Sequence, residues 1–161
     1  MMVEDVNYLT PEGKIELEQE LHRLKEYDRP ALAAKLKEAV AMGDLKENAD
    51  YHDTREKMSL MDGKILRLET VLRDAIVVEN DGTSDMVRIG SKVTIREVGE
   101  DEDEVFMIVG QAEANSLEGK ISSKSPIGAG LLNRKKGDKI KVETPNGTIT
   151  LKIKKKSSKN T

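Results

Sequence analysis

Gly43-Asp44-Leu45-Lys46-Glu47-Asn48-Ala49-Asp50-Tyr51 lies between two stretches of helical periodicity, and its reading decides the fold. Upstream, Pro11 to Met42 reads as helix; downstream, helix resumes at about Asn48 and runs to Asp74. Gly43 takes the left-handed conformation that ends a helix without a side-chain penalty, so it marks the stop. Two helices joined by a turn of a few residues fold back on each other as an antiparallel hairpin. Asp44 and Glu47 then sit at the far tip, away from any core. Two readings of that pair stay open. Asp-x-x-Glu at a helix start has the spacing of a capping box, with Asp44 as the cap and Glu47 three residues on. Acids at the end of a long probe also suit delivery of negative charge into another molecule's site. The readings overlap, because a capping carboxylate keeps lone pairs for a metal ion.

The arms follow from their apolar spacing. Thr10-Pro11-Glu12 is a helix start: a capping hydroxyl, proline at the first helical position, then an acid near the positive end of the helix dipole. Leu17, Leu21 and Leu24 form a stripe that Leu32, Leu36 and Val40 resume beyond Asp28-Arg29-Pro30. Pro30 removes an amide and crowds the preceding turn, which predicts a kink or short break. In the second arm Met58, Met61, Ile65, Leu68 and Leu72 alternate spacings of three and four, the seam pattern of a coiled coil. An arm of about 30 residues reaches roughly 45 Å.

The period changes at Val77-Val78, and Asn80-Asp81-Gly82-Thr83-Ser84 reads as a loop or linker. This divides the chain into a hairpin, 1–79, and a second domain, 80–161. Strand-like runs cover Met86 to Ile89, Lys92 to Val98, Glu104 to Val109, Lys139 to Thr144 and Thr148 to Lys154. The last two flank Pro145-Asn146-Gly147, a hairpin signal. Ser125-Pro126 starts a short helix through Asn133, in which Gly128-Ala129-Gly130 permits close packing on the sheet. The fold class is α+β: a coiled-coil hairpin followed by a small, mostly antiparallel β domain.

Composition narrows the function. Of 161 residues 35% are charged, 37% hydrophobic and 2% aromatic, and none is cysteine. Disulfides and thiolate metal sites are excluded, and no segment is apolar enough to span a bilayer, so the expected location is cytoplasmic. A formal net charge of −3 speaks against independent nucleic-acid binding. Glu100-Asp101-Glu102-Asp103-Glu104 reads as a solvated turn; Lys152, Lys154, Lys155, Lys156 and Lys159 read as a frayed basic tail. His22 and His52 read as solvated helix residues, and phosphate loops, nucleophile elbows and aromatic platforms are missing. A self-contained active site is not expected. The candidate chemistry reduces to the tip, where Asp44 and Glu47 offer oxygen ligands to a hard ion such as Mg²⁺. Alone they would hold it weakly; beside a first metal ion and a phosphodiester they could retain a second. Arg55, on the second helix near the tip, suits an RNA phosphate or is an ordinary surface arginine.

These residues carry a resemblance to the bacterial Gre transcript-cleavage factors, of the GreA type. The tip from Gly43 to Tyr51 is similar to the family signature, varied conservatively at Asp50. Ser125-Pro126-Ile127-Gly128-Ala129-Gly130-Leu131 and Thr144-Pro145-Asn146-Gly147 resemble its second characteristic region. The resemblance runs from about Leu9 to Lys154. It implies an FKBP-like C-terminal domain and a hairpin that enters the secondary channel of RNA polymerase. It implies that Asp44 and Glu47 help hold a second Mg²⁺ shared with the polymerase, which then hydrolyses the 3′ end of backtracked RNA. On this reading the chain is an accessory factor, not an enzyme, and binds no cofactor tightly alone. Arg55 and Lys46 are the implied RNA contacts, with Lys57 nearby; Ser125 and Pro126 fall where the family meets the channel's rim. Prolyl isomerase activity is not implied, since Tyr8, Tyr27 and Tyr51 all lie in the hairpin half and only Phe106 could line an aromatic pocket.

One departure stands out. Relatives often carry a basic residue at the position of Val40, so the patch that grips extruded RNA is thin here. That favours cleavage after short backtracks. The alternative is a regulator that binds the same channel without cleavage; the Asp44/Glu47 pair speaks against it, because a plug needs no metal ligands.

Overall fold

The computed structural model describes residues 6–158. The fold is α+β, in two compact units: Ile15–Asp74, and the segment ending at Lys14 together with the chain from Ala75 onward. The division therefore differs from one between residues 79 and 80. Its cause is a short parallel pairing of β1 (Tyr8–Leu9) with β2 (Ile76–Val77), which places the N-terminal strand in the sheet-bearing unit. Tyr8 belongs to that unit as well, not to the hairpin.

In the helical unit, α1 (Pro11–Arg23) passes through a π-helical turn (Leu24–Asp28) into α2 (Arg29–Ala41), and α3 (Ala49–Asp74) returns. Of the kink or short break expected at Pro30, the break does not occur. Proline has no N–H to give the carbonyl four residues back, and its ring crowds that carbonyl. The chain widens one turn instead, with the Arg29 N–H bonding the Leu24 carbonyl five residues back. The extra residue also sets the phase of the apolar stripe. Eight residues of plain α-helix between Leu24 and Leu32 would overshoot by about 80°; with one residue absorbed the mismatch falls to about 20°. Leu24 and Leu32 accordingly line one groove with Leu60 and Met61 of α3. Leu17, Leu24, Ile65 and Leu68 are buried. Near the tip the buried residue of α2 is Ala39, at 4% exposure, while Val40, expected in the stripe, is 47% exposed. Ion pairs flank the seam: Arg29 Nε to Asp62 Oδ1 at 2.7 Å, Lys64 to Glu20 at 2.7 Å and Lys25 to Glu69 at 3.6 Å.

The other unit is built on a five-stranded sheet of β3 (Ser91–Glu97), β4 (Asp103–Val109), β5 (Lys120–Ser122), β6 (Lys139–Thr144) and β7 (Gly147–Ser158), ordered β5-β4-β3-β7-β6. Within this sheet, among the described residues, only β4 and β5 pair in parallel. Alternation buries one face: Val93, Ile95, Ile140, Val142, Leu151 and Ile153 close a core with Leu131 of α4 (Pro126–Leu131). Gly128 lies so close to the sheet that a Cβ would sit 2.0 Å from the Ser122 carbonyl oxygen, which is the packing reason for glycine there. Three expectations need correction. Met86 makes only an isolated bridge to Lys135 instead of a strand to Ile89. Helix α4 stops at Leu131, and Asn133 turns left-handed at φ 65°. Strand β7 runs on past Lys154, so Lys155 and Lys156 are ladder residues and not a frayed tail; Lys159 lies outside the described residues. In the acidic run, Asp103 and Glu104 begin β4, and Asp103 bonds Arg96 at 2.7 Å.

The start of α1 is held from a distance in sequence. Thr10 is the predicted cap, its hydroxyl oxygen accepting from the Gly13 N–H at 3.0 Å. The same hydroxyl donates to Glu113 Oε1 at 2.5 Å, and the Thr10 N–H donates to Glu113 Oε2 at 2.9 Å. The Gly110 N–H adds a third bond to that carboxylate at 3.3 Å.

Candidate functional site

Helix α2 ends in a tightened last turn, with Met42 N–H on the Ala39 carbonyl and Gly43 N–H on that of Val40. Gly43 then goes left-handed at φ 77°, as expected, and Asp44 follows it at φ 49°. A second consecutive left-handed residue reverses the chain. Aspartate is among the few L-residues that enter this region readily. The Glu47 N–H bonds the Asp44 carbonyl at 3.2 Å, which puts the two acids on one closed turn.

Neither acid caps α3. That task falls to Asn48, whose Oδ1 accepts from the Tyr51 N–H at 3.1 Å. Its Nδ2 donates to the Ala39 carbonyl at 2.8 Å and reaches the Gly43 carbonyl at 3.4 Å. One amide therefore satisfies the end of one helix and the start of the next, which a carboxylate, having no donor, cannot do. Sequence reasoning passed over Asn48, although asparagine is among the strongest N-caps and stands three residues before a helical amide. With the cap supplied, the Asp44 and Glu47 side chains are exposed and have no hydrogen bond or ion pair among the described residues.

The other expected site residues divide. Lys46 shares the acid turn, exposed and without a side-chain partner; its carbonyl contacts the His52 ring at 3.1 Å. Arg55 is exposed on α3, likewise unpaired among the described residues. Lys57 is tied to Asp53 at 3.0 Å, which leaves it a poorer cation for an incoming phosphate. Ser125 and Pro126 stand at the start of α4, in the sheet-bearing unit. The Ser125 hydroxyl accepts from the Gly128 N–H at 3.1 Å and donates to the Ser122 carbonyl at 2.6 Å, so it is engaged as a cap. Pro126 is exposed beside a mostly apolar groove that Ile121, Ile127 and Pro145 also line.

Both halves of the chain match known proteins. Residues 7–77 match the family model described as transcription elongation factor, N-terminal, and residues 82–157 the one described as transcription elongation factor, GreA/GreB, C-term. The chain is similar to transcription elongation factor GreA of Bacillus velezensis, at 42% identity over 95% of this chain and 98% of the relative. It is similar to GreA of Streptococcus pneumoniae at 43% identity, over 94% and 96% respectively. Among solved structures, GreA factor homolog 1 of Thermus thermophilus is 26% identical over 96% of this chain and 100% of that one, with a TM-score of 0.44. An acid-tipped helical hairpin and a five-stranded sheet unit, matched along nearly the whole sequence, place the chain in the GreA/GreB family of transcription elongation factors.

Proposed function

We propose that the chain binds RNA polymerase, inserts its hairpin tip through the secondary channel, and stimulates the polymerase's own cleavage of backtracked RNA 3′ ends. It acts in the cytoplasm as an accessory factor. The observation that carries this reading is the pair of uncommitted carboxylates on Asp44 and Glu47, held on a left-handed turn while Asn48 does the capping. Two carboxylates fit a hard divalent ion but supply only part of its oxygen shell, so Asp44 and Glu47 would hold a Mg²⁺ jointly with polymerase and phosphate oxygens. The chemistry such an ion supplies when bound is activation of a water for in-line attack on the phosphodiester. Arg55 and Lys46, both unpaired among the described residues, draw the RNA phosphates toward the acid turn. Pro126 and its apolar groove seat the sheet-bearing unit on the channel's rim, with Ser125 fixing the loop that presents the proline.

The test is RNA cleavage by a stalled, backtracked elongation complex with and without the protein. Asp44→Asn and Glu47→Gln are expected to abolish stimulation while competing with the unaltered protein for polymerase. Arg55→Ala is expected to lower cleavage in a way that more factor partly restores. Full stimulation by the folded double variant Asp44→Asn/Glu47→Gln would sink the assignment.

A further inference from the structure

The two edges of the five-stranded sheet are finished differently. At β5 the outward backbone groups are already used. The Lys120 N–H bonds the Asn115 carbonyl at 3.0 Å and the Lys120 carbonyl accepts from the Asn115 N–H at 2.9 Å. The Ser122 carbonyl accepts from both the N–H and the hydroxyl of Ser125. At β6 the edge is open. The Ile153 N–H bonds the Asp138 carbonyl, which fixes the phase of the ladder, so the even-numbered residues of β6 bond β7. Lys139, Lys141 and Glu143 therefore turn their N–H and C=O groups away from the sheet, and no other strand pairs with them among the described residues.

Natural sheets blunt such an edge with proline, a bulge, an inward-pointing charge or lysines. Strand β6 contains no proline, its register to β7 is unbroken, and its inward residues are the buried Ile140 and Val142. Charge is confined to the solvent face, where Lys139, Lys141 and Glu143 are exposed and make no ion pair among the described residues. Lysine alone would repel any copy of itself. Glu143 changes that, because it gives the edge an order of charges that complements its own reverse.

We infer that β6 pairs antiparallel with β6 of a second copy of this chain, joining two five-stranded sheets into one across a two-fold axis. Hydrogen-bond parity allows registers only in steps of two residues. Of the registers that set the outward charges opposite one another, all but one oppose like charges, which destabilises a sheet. The exception sets Lys141 opposite Glu143 of the second copy and Glu143 opposite its Lys141. Lys139 then lies diagonal to the same glutamate, so each Glu143 is bracketed by two lysines. On the inner side Val142 meets its counterpart at the axis and Ile140 faces Thr144, which continues the apolar face from one core to the other. Because the β5 edge is covered, pairing closes at two copies and does not propagate. Two strands of six residues make a small interface, so the dimer is weak and exchanges with monomer.

The experiment is sedimentation velocity of the full chain from micromolar to millimolar concentration. A rise from monomer to dimer mass is expected, with nothing heavier. Lys141→Glu and Glu143→Lys each set like charges opposite at both symmetry-related sites and should weaken the dimer by about tenfold or more. An equimolar mixture of the two variants should dimerise again, because each then supplies the charge that the other lacks. Both positions are on the solvent face, so each variant should keep the parent's melting temperature. In the parent, amide hydrogen exchange at Lys141 and Glu143 should slow as concentration rises, while that at Val142, already bonded to β7, should not change. A parent that stays monomeric at millimolar concentration overturns the proposal. So do a dimer that survives either substitution unweakened, a mixture that stays monomeric, and assembly beyond two copies. Dimer formation without slower exchange at Lys141 and Glu143 overturns it too, since another surface would then be the interface.

Discussion

Two helix starts in this chain solve the same problem with opposite use of acids. At α1 a carboxylate is brought from 103 residues away, and Glu113 takes both the N–H and the hydroxyl of Thr10. At α3 two carboxylates lie within a few residues of the first turn, yet the neutral amide of Asn48 does the work. Acid at a helix start stabilises it, so folding alone favours using Asp44 or Glu47. That both stay uncommitted and exposed separates them from the charges that hold the fold.

The comparison breaks most visibly if the tip acids prove structural. Asp44→Asn/Glu47→Gln should reduce stimulated RNA cleavage by about 100-fold or more, the scale of losing a transition-state charge stabiliser. Its unfolding free energy in urea should stay within about 0.5 kcal/mol of the parent's, as for a surface change. Asparagine is the replacement of choice at position 44 because alanine is disfavoured at φ 49°. At the other start the effects should reverse. Glu113→Ala leaves the buried Thr10 N–H without its charged acceptor, and about 2 kcal/mol of stability should go in urea unfolding.

Smaller effects sharpen the contrast. Asn48→Ala should cost about 1 kcal/mol, the usual loss for a cap, and should loosen the acid turn in amide hydrogen exchange. Lys152→Glu should add about 0.5 kcal/mol, because Lys152 stands between Arg96 and Lys139 in the strand register and the change makes that row of like charges an alternating one. The smallest effect is expected at Arg29–Asp62. The hydrogen bond from Arg29 holds the Asp62 carboxyl below its ordinary pKa. The contribution is therefore complete above that ordinary value, near 4, and is lost as pH falls through the lowered one. Asp62→Asn should remove this acid-side slope from a plot of stability against pH, a modest change for so exposed a pair.

Much of this was legible in the sequence because it depends on local periodicity. The seam from Met58 to Leu72, the left-handed Gly43 and the Thr10 and Ser125 caps are each set by residues a turn or two apart. What escaped were outcomes of competition and distance. Asp44 and Asn48 both qualify as caps, and the choice depends on where the chain leaves α2, which a second left-handed residue decides. Pro30 excludes one hydrogen bond without saying whether the helix breaks or widens. The alignment of Arg96, Lys152 and Lys139 across β3, β7 and β6 needs the pairing of three strands, and β5 is too short to show a period. The exposure of the tip pair was legible; its lack of a partner among the described residues was not.

The π turn before Pro30 has a consequence for how this arm tolerates change. It amounts to a one-residue insertion stored in the backbone, held in place by a proline that forbids the ordinary bond. Deleting one residue between Leu24 and Arg29 would keep the seam in phase but force the proline ring against the preceding turn. Replacing Pro30 with alanine would let the wide turn close, and closing it would swing Leu32 out of the seam. Each change alone harms the arm, while the two together yield a plain α-helix with its apolar side still facing α3. Loss of the residue and loss of the proline are thus coupled events, tolerated as a pair and resisted singly, by a margin that a double-mutant cycle would measure.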